Sequence, residues 1–384
     1  MLENLSNPAP KIDLPNGYKP GIEFDGSEGT AQTPGLQEGA DFKQYLQDAG
    51  FDLSTVEIIG APRLSRWQVL QGGEPIWLTS YRFRFRILTD ALDLPLLYKE
   101  AMKGLQRKPV KTDSDKALVV LWSDLQVGKA GASRGGTKEL IERIAHTTQR
   151  LVAHAKALKP SRIVFADVGD IIEGFDSGGN ANRSNDLSIM QQVDVATTLT
   201  WTALKELAKV TDEVVYLTVG SNHCQWRNGK LRLGNTLDDW GVHIGRTLAR
   251  LAKETELPIK FYEPEMHQES LAFDVFDDQF HILGLFHGHQ AARPEQVPQW
   301  IKGQMFGQAP TNSATIYISG HFHHLIVKEL GVTPRGTSRH WVQAKCLDSG
   351  SDWYRLQSGE DSSVGLVTLT LERNKDFTGT VTVL

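Results

Sequence analysis

The stretch VVLWSDLQVGK, residues 119–129, decides how the rest of the chain is read. Its apolar residues through Trp122 have the look of a strand buried on both faces, and the run stops on Asp124, the amide of Gln126 and Gly128. The same pattern recurs further along. RIVFADV (162–168) ends on Gly169-Asp170, and VVYLTVG (214–220) on Ser221-Asn222-His223. FHILGLF (280–286) ends on His287-Gly288-His289, and TIYIS (315–319) on Gly320-His321-Phe322-His323. Helical stretches at 137–158, 186–210 and 236–254 separate the first strands, and after residue 270 the texture becomes short strands with turns between them. This alternation predicts an α/β domain over 116–384.

In an α/β sheet the carboxyl ends of the strands form one edge, where ligands bind, so these five distant strand ends can converge. Asp124 and Gln126 are two residues apart, as are His321 and His323, and in an extended segment each pair points to one side. Six of the twelve histidines lie between His281 and His324, a concentration that core packing does not require. Carboxylates, an amide oxygen and imidazoles form a mixed oxygen and nitrogen donor set, suited to Mn, Fe, Zn or Mg. With one bridging carboxylate, such a set can hold two ions about 3.5 to 4 Å apart, the arrangement that activates a water and neutralises a phosphoryl group. The expected chemistry is phosphoester hydrolysis with two divalent ions, Mn first among them.

Composition excludes some alternatives. With 384 residues, 40% hydrophobic and 23% charged, the chain reads as an ordinary globular protein of more than one domain's length. The net charge of -5 gives no general attraction to polyanions or membranes. Cys224 and Cys346 are too few for a disulfide framework, no apolar run is long enough for a membrane span, and no signal peptide is evident. A cytoplasmic protein with no membrane partner is expected; the oligomeric state is open.

Residues 1–40, rich in Pro, Gly, Asn and Ser without a regular period, are expected to be a disordered or surface-draped arm. Residues 41–115 read as a small basic α+β module. DFKQYLQDAGF is a short helix with Asp41 as a cap, and RWQVLQGGEPIWLTSYRFRFRIL is two strands around a Gly-Gly turn. Between Arg63 and Lys116 there are eleven Lys/Arg against six Asp/Glu. Tyr81, Phe83, Phe85 and Ile87 face one side of the second strand, and Arg82, Arg84 and Arg86 the other. That basic face reads either as a phosphate-backbone contact or as a guarded, solvated strand.

The ordered set of Asp124, VGD (168–170), SNH (221–223), HGH (287–289) and GHFH (320–323) resembles the calcineurin-like metallophosphoesterases, over roughly residues 117–345. The resemblance implies a four-layer α/β/β/α sandwich. It also implies Asp124, Gln126, Asp170 and His323 on one metal, and Asp170, Asn222, His287 and His321 on the second, with Asp170 bridging. His223 would then be the acid beside the leaving oxygen. GDIIEGF (169–175) differs from the GDxxDRG of the protein phosphatases in this superfamily, so the likeness is nearer to nucleases of the DNA repair exonuclease style. SDLQVGK also loosely resembles phosphoesterases carried by bacteriophages.

Two departures stand out. Gln126 replaces the usual His, and is expected to ligate through its carbonyl oxygen and shift the first site towards harder ions. Cys224 replaces the acid that usually follows His223, leaving that imidazole to be oriented by Asp176, Asp186 or another acid. Cys224 itself reads as a small packed residue. Around the site, Asn182 and Arg183 in the polar loop 174–186 are candidate phosphate contacts, as are Trp226 and Arg227 in CQWRNGKLR, an aromatic among cations. His289 is a further candidate above the site.

The leading expectation is therefore a phosphodiesterase acting on nucleic acid, with His223 and Asp170 as its catalytic residues. Two alternatives are carried: a phosphomonoesterase or nucleotide phosphodiesterase with a small substrate, and a catalytically degenerate module that binds nucleic acid or protein.

Overall fold

The computed structural model describes residues 19–24, 28–37, 39–53, 56–87, 94–101, 103, 112–130, 135–177, 180–181, 185–228, 231–348, 350 and 363–384. The chain divides into two compact units, Met1–Asp93 and Leu94–Leu384.

In the first unit, strands β1 (Gly21–Phe24), β2 (Glu28–Gln32) and β3 (Leu36–Gln37) precede a short helix α1 (Gln44–Asp48) and the hairpin β4 (Val56–Gln71) and β5 (Glu74–Ile87). The sheet is antiparallel throughout, in the order β1-β2-β5-β3 with β4 on the other side of β5. The hairpin turns on Gly72 and Gly73, both at positive φ (64° and 91°), which a two-residue turn of this hand requires. Phe83 and Phe85 are buried with Ala31 and Leu46, as the alternation implies. On the opposite face Arg84 is paired with Glu28 at 2.8 Å, and Arg86 is paired with Glu57.

Two expectations are corrected here. Gly21–Phe24, Glu28–Gln32 and Leu36–Gln37 form strands of this sheet, where an unpacked arm was expected. Their partner, β5, lies some fifty residues downstream, and Thr33 is tied to Ser80 (Oγ to carbonyl, 2.8 Å) and Tyr81 (N to Oγ1, 3.0 Å). No local period can signal pairing of that kind. Asp41 accepts a bond from the Lys43 amide at 2.9 Å, but the helix begins at Gln44 with Lys43 in the capping position.

The second unit opens with α2 (Leu94–Ala101), placed by sequence in the basic module. Its Leu94, Leu97 and Tyr98 pack on the core of the second unit, and Lys205 donates to the carbonyls of Ala101 and Lys103 at its end. There follow β6 (Lys116–Trp122), α3 (Thr137–Leu158), β7 (Arg162–Asp167), the short strands β8 (Asp176–Ser177) and β9 (Asn180–Ala181), α4 (Ile189–Leu207) and β10 (Val214–Thr218). Next come β11 (Arg227–Asn228), β12 (Leu231–Arg232), α5 (Trp240–Glu254), β13 (Ile259–Tyr262), β14 (Ser270–Asp274), β15 (Ile282–Phe286) and α6 (Val297–Phe306). The chain closes with β16 (Ile316–Ser319), β17 (Ile326–Val332), β18 (Ser338–Gln343), β19 (Val367–Glu372) and β20 (Val381–Val383). The unit is mixed α/β.

Its two large sheets have the orders β13-β10-β7-β6-β19-β20 and β14-β15-β16-β18-β17. Strands β13, β10, β7 and β6 run parallel, as do β15, β16 and β18, so each group delivers its carboxyl ends to one edge. The side chains of β6 divide by parity. Leu118, Val120 and Trp122 join a core that includes Leu140 and Ile144 of α3, Leu199 of α4 and Leu248 of α5. Ala117, Val119 and Leu121 join a second core with Leu283, Ile316 and Val342 of the other sheet. This burial on both faces is why the strand is apolar without interruption. A third cluster sets Phe286, Tyr317 and Trp341 against Val297 and Ile301 of α6. Among the described residues no helix is long and apolar enough to cross a membrane.

Helix α5 starts on Asp239, whose buried carboxylate accepts from Gly241 N (2.8 Å), Val242 N (3.1 Å) and Ser221 N (2.9 Å), tying the helix to the segment that carries Asn222 and His223. Asp239→Ala would leave three buried amides without acceptors and is expected to lower stability by about 2 kcal/mol, with Asp239→Asn losing less. Urea titration of the three proteins checks this; an unchanged midpoint for the alanine variant would show that the cap contributes nothing.

Candidate metal centre

The polar residues after β6, β7, β10, β15 and β16 do meet. The loops after β6 and β7 are zipped together: Asp124 N donates to Gly169 O at 3.1 Å, Gln126 N to Asp170 O at 2.9 Å, and Val127 N to Ile171 O at 3.2 Å. The backbone there is not extended, as the pairwise spacing had suggested. Asp124 (φ 51°), Gln126 (45°), Asp170 (50°), His321 (71°) and His323 (64°) all lie in the left-handed region, which costs a residue with a side chain about 1 to 2 kcal/mol. Five such residues at one place indicate a site that the surrounding fold holds against local preference. Two glycines make the approach possible. A Cβ at Gly169 would lie 2.5 Å from Ser221 Cβ and 2.8 Å from His287 Nδ1; one at Gly320 would lie 2.5 Å from Asp124 Oδ2.

Asp170 is the hub. It is buried, its Oδ2 lies 2.9 Å from His287 Nε2, and its Oδ1 accepts from His223 N at 2.9 Å. His287 bonds through Nδ1 to Val168 O at 2.7 Å, which fixes that nitrogen as the N–H and turns Nε2 into the centre. Burial opposes charge on this ring, but Asp170 beside it raises its pKa to about 9. Burial likewise opposes charge on Asp170, yet His287 and His223 hold its carboxyl well below the usual range. His321 stands across from His287 with ring centroids 5.1 Å apart, and burial and His287 lower its pKa to about 3. Asp124 accepts from His321 N at 3.2 and 3.1 Å and lies 3.4 Å from His323 Nε2.

These groups fit a divalent cation. Ligating atoms of Asp170, His287 and His321 lie within 4.8 Å of one another. Asn222 Oδ1 is buried with no hydrogen-bond partner among the described residues, an acceptor that a cation at this place would satisfy. His287 has the orientation of a metal ligand, with its other nitrogen anchored on a carbonyl.

His223 turns Nδ1 to Glu173 O (2.9 Å), with Glu173 Oε2 at 3.5 Å, and its Nε2 lies 3.9 Å from Asp170 Oδ2. Glu173 is therefore the acid beside this imidazole. Asp186 is instead spent at the start of α3, on Thr137 N (2.7 Å) and Oγ1 (2.6 Å). Cys224 is fully buried with its thiol pushed well above its usual pKa by burial and Asp239, a packed residue as read.

Gln126 departs from expectation. Its Oε1 accepts from Lys129 Nζ at 2.6 Å and its Nε2 lies 3.4 Å from His223 Nε2, so the oxygen expected to ligate a metal is already bound to an ammonium. Lys129 also reaches Asp348 Oδ2 at 2.6 Å, and the same oxygen lies 3.6 Å from His323 Nδ1. Burial works against the Lys129 charge, but Asp348 and Glu173 nearby raise its pKa. His323, Cys346 and Asp348 form a second group whose ligating atoms lie within 4.8 Å of one another.

Lys129, Glu173 and Asp348 were missed from sequence. The signal for Asp348 was available: it lies five residues past β18, a third parallel strand whose carboxyl end reaches the same edge. Of the other candidates, His289 has its ring centroid 5.5 Å from that of His287 and its Nε2 3.5 Å from Gln225 Nε2. Burial and the neighbouring His287 lower its pKa to about 2. Arg227 donates to Gln225 Oε1 at 2.9 Å, and Trp226, half exposed, stacks on Trp240 at 5.1 Å. Asn182 and Arg183 lie outside the described residues.

Gly320→Ala should push aside Ser123 Oγ and the Asp124 carboxylate, which holds the His321 amide, and lower Mn²⁺ affinity at least tenfold by calorimetric titration, while Gly303→Ala, at a site with nothing within 4 Å of the new methyl, should leave it unchanged. Equal affinity in the two variants would mean that neither Ser123 nor Asp124 contributes to the centre. No family model and no curated protein matches the chain. Among solved structures it is similar to one titled "Structure of PhoD", with 10% sequence identity, 90% of this chain and 82% of that chain covered, and a TM-score of 0.29, a likeness that carries no argument about function.

Proposed function

We propose that the protein is a metal-dependent phosphoester hydrolase of the metallophosphoesterase type, acting on a phosphodiester of a polynucleotide. One observation carries the hydrolase reading: Asp124, Asp170, His287, His321 and His323, from four strand ends, come together around buried carboxylates, with an imidazole, His223, from a fifth at their side. The packing of α3, α4 and α5 on one sheet, of that sheet on the second, and of α6 on the second sheet's other face supports the four-layer sandwich of that family.

Asp170, Asn222, His287 and His321 would hold a divalent ion. Such an ion supplies Lewis acidity towards a nonbridging phosphoryl oxygen and a water acidic enough to attack phosphorus. The chain's own residues supply the rest. Asp170 Oδ1 fixes the His223 backbone, and Glu173 O fixes Nδ1 as the donor side of the ring. His223 Nε2 is thereby left facing the centre, where it can hold a proton for the departing alkoxide. Carboxylates, imidazoles and an amide favour Mn, Mg, Fe or Zn over Ca.

The polynucleotide substrate is supported by the segment just after His223. Trp226 offers an exposed ring braced from below by Trp240, with Arg227 next to it and the hairpin of β11 and β12 following. Exposed aromatics interleaved with cations suit base stacking and phosphate contact.

The test is hydrolysis by purified protein, with Mn²⁺, Mg²⁺ or Zn²⁺, of single- and double-stranded DNA, an aryl phosphodiester and an aryl phosphomonoester, beside Asp170→Asn. DNA cleavage that vanishes in the variant and in EDTA is expected. Cleavage of the monoester alone would replace the polynucleotide with a small substrate, and no turnover with any ion would leave a binding module.

His223→Ala should lower kcat by about 10² or more on DNA, whose leaving alkoxide needs a proton, and much less on an aryl ester with a good leaving group. Equal losses on both substrates would remove His223 from the acid role. Trp226→Ala should raise KM for single-stranded DNA several-fold and leave the aryl diester unaffected.

A further inference from the structure

We infer that the centre holds a single divalent ion, on the side of Asp170, Asn222, His287 and His321, and that the ammonium of Lys129 is the fixed cation on the other side, where a second ion would otherwise sit. The inference rests on the metal-centre reading above and changes the number of ions it holds.

The geometry at Gln126 is the first support. An ammonium has only donors, so the amide atom 2.6 Å from Lys129 Nζ must be the oxygen, and the NH₂ is left towards His223. The one atom through which Gln126 could ligate is thus committed to the lysine. A second support comes from Asp348. Its Oδ2 takes the same ammonium at 2.6 Å and lies 3.6 Å from His323 Nδ1, so Lys129 sits against the group of His323, Cys346 and Asp348 that could otherwise accept a metal. Lys129 is only 15% exposed and Asp348 is fully buried, so this is a built contact within the fold and not a surface ion pair.

Charge bears on the same place: the Lys129 ammonium already occupies the buried Asp348 carboxylate, and a divalent ion brought against it would meet a fixed like charge away from water. The Gln126 found where the family has His belongs to this arrangement, because its amide oxygen can accept from the lysine.

The experiment counts ions and reads their spacing without reference to activity. Apoprotein is dialysed against Mn²⁺, bound metal is measured by mass spectrometry, and the electron paramagnetic resonance spectrum of bound Mn²⁺ is recorded. Circular dichroism and thermal melting establish that each variant is folded. Wild-type protein is expected to bind one Mn²⁺ per chain with an isolated six-line spectrum. Lys129→Ala and the bulk-preserving Lys129→Met are expected to bind two, with a spin-coupled spectrum, and Lys129→Arg one. Two coupled ions in the wild type would overturn the inference and leave the hydrolase reading intact. One ion in the wild type and in both folded neutral variants would equally overturn it, since the ammonium would not be what excludes the second. No bound ion in any of them would overturn the metal-centre reading itself.

Discussion

The second unit is organised around the carboxylate of Asp170. Its side chain touches His287 and the His223 backbone, its own amide donates to Ser221 Oγ at 2.8 Å, and its carbonyl accepts from Gln126 N. One residue thus joins the ends of β6, β7, β10 and β15. A buried carboxylate on that many partners is tolerable only because each partner is a donor or a cation, and losing any of them would leave charge uncompensated in a dry interior. The left-handed backbone at Asp124, Gln126, Asp170, His321 and His323 follows from the same requirement. Each strand end must turn sharply to bring its donor inward, and the two sheets with their buried faces supply the energy that holds the turns.

Around that hub the groups fall into two electrostatic neighbourhoods. Near Asp170 the imidazoles are mutually repelling: burial and His287 favour the neutral forms of His321 and His289, which leaves one nitrogen of each ring available as an acceptor. Near Asp348 a lysine and a histidine share one carboxylate, and burial, which would raise that acid, is overcome by the two cations. An arrangement symmetrical in donors from sequence is therefore asymmetrical in charge. The asymmetry originates in one residue, Lys129, three positions after Gln126 in the same short loop.

Much of this was legible from the chain itself. The strand and helix placement in the second unit follows from apolar runs and 3.6-residue periods; TKELIERIAHTTQRLVAHAKAL is helical over its whole length, β10 begins where its apolar run begins, and β7 one residue before. The proximity of Asp124, Asp170, His287, His321 and His323 was legible because each follows a buried strand whose carboxyl end reaches one edge. Strands β1 to β3 were not legible, since a short edge strand takes its order from a distant partner. The membership of α2 was hidden for a similar reason: its apolar face has no preference until α4 is beside it.

The sequence by itself determined the sheet cores, through alternation and uninterrupted apolar runs, and the inventory of donors delivered to one edge. Tertiary structure decided what each donor does. Lys129 and Asp348 are 219 residues apart, and nothing local marks them as partners. Glu173 becomes the neighbour of His223 only when the loop after β7 folds against the one after β10. Gln126 shows the division most clearly: its type admits a metal ligand, and the choice between ion and ammonium depends on which charge reaches its oxygen first, a matter of distances that only the folded chain contains.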